Sequence, residues 1–291
     1  MSFLIQSGFL QSVPVQHALI VGGIAAVVAA VVGVPTLIRG QAFASDALAH
    51  VSTAGGALAP LIGVNALTGF VLMALAAGGM LEAVPVRDRA ERDLLTGVVL
   101  GAGLGLAALF LSLDVTLPGA SGATVGVLFG SVFLLGPDDL VPALTAGGLA
   151  LVLLMAFLRP ILLAALDPDL ARVSGVRLRL TGAVHLACLT LAVGLAAMTV
   201  GAILSTALIV TPAATAIALT ARPGQSLLVA AGLGLAGTWG GLLIAYDSYV
   251  WTNGHAWPAS FCIVAALCVL HFGLTGGLSL LRHLRGGKVR R

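Results

Sequence analysis

The chain has 291 residues, of which 59% are hydrophobic, 9% are charged and 38 are Gly. A soluble domain carries about 25% charged residues, so this composition, with a mean hydropathy of +1.11, excludes a water-soluble globule. The net charge of +3 comes mainly from a basic C-terminal tail suited to anionic headgroups, and therefore gives no reason to expect nucleic acid as a partner.

Apolar runs of roughly 18 to 25 residues, long enough to cross a bilayer as helix, place membrane passages near 17–38, 44–62, 64–81, 94–113, 139–163, 181–200, 203–220, 227–246 and 258–280. The reading is an all-α, polytopic helical membrane protein with about nine passages, a single transmembrane domain over 1–291. Stretches such as 149–158 lack the in–out alternation of a membrane β-barrel. The first sixteen residues hold no Lys or Arg, so no cleavable signal is expected.

The connections alternate in charge. One set holds Arg39, then Arg87, Arg89 and Arg92, then Arg159, Arg172, Arg177 and Arg179, then Arg222, then the tail 281–291; the other holds Asp114, Asp138, Asp139 and Asp247 and no Lys or Arg. The positive-inside rule puts the tail in the cytoplasm, the N-terminus outside and the acidic connections on the far face. The stretch 120–135 breaks the alternation if counted as a crossing, and its small residues suit a short re-entrant or surface helix packed against protein.

Helices in lipid associate by close backbone approach, and Gly97, Gly101 and Gly105, like Gly232, Ala236 and Gly240, are expected to form helix-packing faces. Cys188, Cys262 and Cys268 lie in apolar runs without CxxC spacing, the pattern of packing residues rather than of a disulfide framework or zinc site.

Ionisable groups inside a span are costly and by default mark a path or a partner. In "RGQAFASDALAH" Asp46 and His50 stand four residues apart at the cytoplasmic half of the second passage, which stacks them on one helix face. A carboxylate and an imidazole there can share a divalent transition metal, loosely enough for a conduit; the same spacing also serves a structural Asp–His hydrogen bond. His17, His185 and His271 read as isolated packing residues, and His255, with Asp247, as part of a solvated outer loop. In the segment 166–180, Asp167 before Pro168 predicts a capped helix start and Gly175 its stop, giving a short cytoplasmic helix at the membrane surface. No P-loop is present, because the only Lys, Lys288, is followed by Val289. No HExxH or GxSxG supports a hydrolase either.

At "RGQAFASDALAH", "VLFGSVFLL" at 127–135, "LDPDLARVSGV" at 166–176, "VGAILSTALIVTPAATA" at 200–216 and "SYVWTNGHAWPASFCIV" at 248–264, the chain resembles the permease subunit of the ABC importers for zinc, manganese and iron, the metal ABC type 3 family. The resemblance covers nearly the whole chain and departs from the family in its longer, polar outer segment "YVWTNGHAWP". It implies that Asp46 and His50 line a metal path and that 166–180 is the coupling helix, with Asp167, Asp169, Ala171, Arg172 and Gly175 in the contact with an ATPase. It also implies a homodimer with the path at its axis, separate ATP-binding subunits, an extracytoplasmic metal-binding protein, and a place in the bacterial inner membrane. The expected cargo is a divalent metal, zinc ahead because His50 supplies nitrogen; no covalently bound cofactor is expected. The alternative is a secondary metal/proton transporter using Asp46 and His50 as a proton relay.

Overall fold

The computed structural model describes residues 12–84, 88–116, 130, 132–134, 136–252 and 256–286. Among these, the secondary structure is helical throughout: α1 (Val13–Ile38), α2 (Ala42–Leu61), α3 (Ala66–Ala83), α4 (Arg89–Thr116), a 3-10 turn (Val132–Leu134), α5 (Pro137–Leu166), α6 (Pro168–Val173), α7 (Leu178–Val200), α8 (Ala202–Leu219), α9 (Pro223–Trp251) and α10 (Ala259–Gly286). Every helix but α6 coincides with an expected passage. Eight are long and apolar enough to cross a membrane; α2 is the ninth long helix and falls outside that set.

The reason lies in its composition. The α2 sequence AFASDALAHVSTAGGALAPL is rich in Ala, Gly, Ser and Thr. Such a helix gains little from contact with lipid tails and much from close contact with protein. It packs on α3, α4, α7 and α8, and its interior positions from Ala47 to Ala49 and Val51 to Ala57 are buried. Gly55 and Gly69 meet backbone to backbone where α2 crosses α3, and Gly103 brings α4 against the Val51 backbone. The central pair is α1 and α7, whose apolar windows are 78% and 83% buried, against 17% for α4 and for α5. One flank of this pair holds α2, α3 and α4, and the other α8, α9 and α10.

The expected Gly faces are not where the helices meet. A Cβ on Gly97, Gly101, Gly105, Gly232 or Gly240 would touch nothing, whereas Gly103, one helix face away from that row, packs. Likewise Gly234, Gly237 and Gly241 form the face that α9 turns to α1 and α10. Small-xxx-small spacing occurred in overlapping registers on both helices, and spacing alone does not choose between them.

Several connections are tight. Gly201 alone joins α7 to α8, at φ +89°. Gly130, at φ +77°, lies so close that a Cβ would stand 2.5 Å from the Thr199 carbonyl oxygen. Of the stretch 120–135 only Gly130 and the 3-10 turn are described, so its expected re-entrant helix lies outside the described residues. The outer segment is shorter than expected: α9 continues to Trp251, making Asp247 and Tyr249 helical and burying Asp247, while His255 lies outside the described residues. At the other end of the chain, α10 runs on to Gly286, into the segment read as the basic tail, of which 287–291 are not described.

Basic groups from separate connections converge. Arg39, in the α1–α2 turn, is within electrostatic range of Arg92 and of Glu82, and Glu82 in turn of Arg179. Burial, then the Arg92 charge, draws the Arg39 pKa below its ordinary value. The ends of α1 and α3 and the starts of α4 and α7 therefore share one end of the bundle, the arrangement the charge alternation requires.

A polar site between two helices

Asp46 and His50 lie in the first half of α2, where Ala44, Ser45, Ala47, Leu48 and Ala49 are buried and Phe43, Asp46 and His50 follow an accessible stripe. The His50 Nε2 atom is 3.9 Å from Asp46 Oδ1. That is too long for a hydrogen bond, so the structural Asp–His bond left open by the sequence is not formed. The side chains remain 20% and 38% accessible for His50 and Asp46 respectively, as groups that bind a passing ion must.

A third group joins them. On α8, Ala202, Ser205, Leu208 and Ile209 are buried, while Ile203, Thr206, Ala207 and Val210, spaced along one helix face, are accessible. The Thr206 hydroxyl donates to Asp46 Oδ1 at 2.9 Å. Thr206 belongs to the stretch "VGAILSTALIVTPAATA", but a hydroxyl partner 160 residues distant in sequence leaves no spacing signal on either helix. Among the described residues no three His, Cys, Asp or Glu side chains gather as a metal site. The arrangement is therefore one imidazole, one carboxylate and one hydroxyl, an incomplete set for a resident metal but a serviceable one for an ion in transit.

The other candidates fall elsewhere. His185 is fully buried, its Nε2 atom 3.3 Å from the Thr36 hydroxyl, and His271 Nδ1 lies 2.8 Å from the Thr215 hydroxyl; both are hydrogen-bonded packing residues, as their isolation in the sequence suggested. Cys188 and Cys262 are buried and Cys268 half-buried, all as free thiols.

The short helix α6 is built as its sequence dictates. Asp167 Oδ1 accepts from the Asp169 and Leu170 backbone N–H groups at 3.1 and 2.9 Å, and Pro168 occupies the first turn. Gly175, at φ +80°, lets Gly175 and Val176 donate back to the Arg172 and Ala171 carbonyls, closing the end. Arg172 pairs with Asp169 at 2.7 Å. The Ala171 methyl is fully buried, so the surface that α6 offers consists of Leu170 and Val173, 51% and 87% exposed, beside that ion pair.

Membrane-length helices enclosing an accessible carboxylate–imidazole pair define a polytopic helical membrane protein with a cation-competent polar site. Residues 11–273 match the ABC 3 transport family, and the chain belongs to that family. It is 29% identical over 235 residues to the manganese import system permease protein ScaB of Streptococcus parasanguinis, covering 80% of this chain and 81% of that one. It is likewise 29% identical over 243 residues to the manganese transport system membrane protein MntC of Listeria innocua, covering 84% of each. The fold is that of the solved structure of PsaBC from Streptococcus pneumoniae in complex with Fab, at a TM-score of 0.77, 24% identity, and 91% and 93% coverage of this chain and that one. ScaB and MntC are named for manganese, and the expected preference for zinc finds no support in those names. Physically, that preference weighed the His50 nitrogen above the Asp46 carboxylate, and the structure adds one more oxygen group, the Thr206 hydroxyl.

Proposed function

We propose that the chain is the membrane permease subunit of an ATP-driven importer for a divalent transition metal, with manganese as the first candidate and zinc second. The observation that supports it most directly is the accessible Asp46, His50 and Thr206 set on helices that the rest of the bundle buries. An ionised carboxylate at that depth is costly unless it serves a cation, and carboxylate and hydroxyl oxygens suit manganese as well as imidazole suits zinc. The names of the manganese relatives point the same way.

The permease works as a homodimer, because an incomplete ligand set open on one flank is completed and shielded from lipid when a second copy faces it. Energy enters from separate ATP-binding subunits that dock at α6 in the cytoplasm, and the metal is delivered to the acidic outer face by an extracytoplasmic binding protein. The protein resides in the bacterial inner membrane with its N-terminus outside and its C-terminus in the cytoplasm.

The test is uptake of radioactive manganese by cells expressing the permease with its partner subunits. Asp46→Ala and His50→Ala each lower uptake at least about tenfold, the loss of a charge-assisted ligand contact, while the assembled complex is still recovered. An ATPase-dead partner abolishes uptake. Uptake that survives the ATPase-dead partner but follows the proton gradient would favour the exchanger reading instead. Undiminished uptake by the double variant Asp46→Ala, His50→Ala would remove the path assignment.

A further inference from the structure

Threonine in a membrane helix has a local way to satisfy its hydroxyl, a bond to the carbonyl three or four residues back. Most of the threonines in this bundle take it: Thr36 donates to Val32, Thr53 to Ala49, Thr96 to Arg92, Thr199 to Leu195 and Thr215 to Thr211. Ser205, the immediate neighbour of Thr206, does the same to Ala202. The Thr206 hydroxyl instead reaches across to Asp46 on another helix. Folding α8 does not require that choice, since the local alternative exists one residue away.

The bond also falls on the oxygen that matters. Asp46 Oδ1 is the atom nearest His50 Nε2, at 3.9 Å, and it is the atom Thr206 holds at 2.9 Å. A carboxylate has about four lone-pair positions, so one bond from a hydroxyl leaves the remaining positions to face a cation while stopping rotation about the last side-chain torsion. The Thr206 oxygen keeps two lone pairs of its own after donating. A cation drawn to Asp46 and His50 therefore meets a second oxygen within 2.9 Å of the carboxylate. Manganese, which favours carboxylate, carbonyl and water oxygens, gains more from such an atom than zinc, whose sites lean on imidazole and thiolate.

We propose that Thr206 is a positioning residue that fixes the Asp46 carboxylate across the α2–α8 boundary and biases the site toward manganese over zinc. This deepens the transport reading above and rests on it. The experiment compares Thr206→Val, which keeps the shape and removes the hydroxyl, with Thr206→Ser, which keeps the hydroxyl, in the complete transporter. Manganese uptake is measured across concentration, with zinc as competitor, and Asp46→Ala is run in parallel.

Thr206→Val raises the half-saturating manganese concentration about tenfold and leaves the maximal rate within about twofold. It raises the zinc concentration needed for half-inhibition less than about threefold, and Thr206→Ser restores the original ratio. An unchanged half-saturation in Thr206→Val, an equal loss for both metals, or a failure of Thr206→Ser to rescue overturns the proposal. If Thr206→Val does not assemble, Thr206→Ala is read by the same criteria through manganese-dependent thermal stabilisation of the purified complex. Transport retained by Asp46→Ala brings down the path reading itself; transport lost there, with Thr206→Val unaffected, overturns only the role of Thr206.

Discussion

Inside a bilayer the position of a side chain is decided less by its hydrophobicity than by whether its polar atoms find partners. Asp46 meets that demand with Thr206, His271 with Thr215 and His185, at Nε2 alone, with Thr36; of these, the Asp46–Thr206 pair is accessible at both side chains. Glycine meets a different demand, because at Gly55 and Gly69 the missing Cβ lets one backbone rest on another. Replacing Gly55 with Leu puts a side chain where the Gly69 carbonyl and the Met73 side chain already lie, and overpacking of this kind costs about 1–3 kcal/mol or more. We expect Gly55→Leu to lower the unfolding temperature of the purified permease and its yield, whereas Gly101→Leu, at a position open to the surroundings, leaves both near the parent values in a monomeric preparation. The cysteines give a complementary expectation. With Cys188, Cys262 and Cys268 free and dispersed in the bundle, a triple Ser variant retains metal uptake and loses stability chiefly through the buried hydroxyls at positions 188 and 262, about 1–3 kcal/mol each. Abolished uptake by a fully assembled triple variant would instead make a thiolate part of the path.

At the scale of single elements, α6 shows how little sequence is needed to specify a short surface helix. An Asp–Pro start and a Gly stop define a six-residue helix, and its burial of Ala171 fixes which side faces out. Bulk at position 171 therefore acts on the fit of α6 against its own bundle, while the exposed Leu170 and Val173 are the positions a partner can touch. We expect Leu170→Asp and Val173→Asp to weaken co-purification of the ATP-binding subunit with little effect on permease stability. Ala171→Trp, by contrast, lowers permease stability first and coupling as a consequence. Arg179→Gln, outside α6, changes association little. Co-purification unchanged in Leu170→Asp would place docking elsewhere, with 82–93 the next segment to test. The contrast with α2 shows what was legible in the sequence. Passages, caps and the Asp46–His50 pair follow from local patterns of apolar length, turn residues and i,i+4 spacing. The packing register of α4 and α9, the inward turn of Ala171 and the partnership of Asp46 with Thr206 depend on which helix arrives from elsewhere in the chain, and no local pattern encodes that.

For the whole molecule, the strongest organising signal is the separation of charge between its two ends. The structure gathers Arg39 from the α1–α2 turn with Glu82, Arg92 and Arg179 from three helices into one electrostatic neighbourhood, so these connections do lie together. The acidic groups occupy opposite helix ends: Asp114 near the end of α4, Asp139 in the first turn of α5 and Asp247 in the last turns of α9. Helix insertion retains Lys- and Arg-bearing connections on the cytoplasmic side, so we expect the end carrying Arg39, Arg172 and Arg222 to face inward and the end carrying Asp114, Asp139 and Asp247 to face out. Under the proposed function that orientation turns α6 toward a cytoplasmic ATPase and the acidic end toward incoming cations, and a reversed molecule could do neither. We test it with single cysteines in the triple Ser background. Gln225→Cys, at the start of α9, and Trp257→Cys, before α10, are both exposed and lie at opposite ends of one helix and the connection that follows it. In right-side-out vesicles a membrane-impermeant maleimide labels Trp257→Cys and spares Gln225→Cys until the membrane is opened with detergent. The reverse pattern would invert the topology and, with it, the assignment of α6 to the cytoplasm.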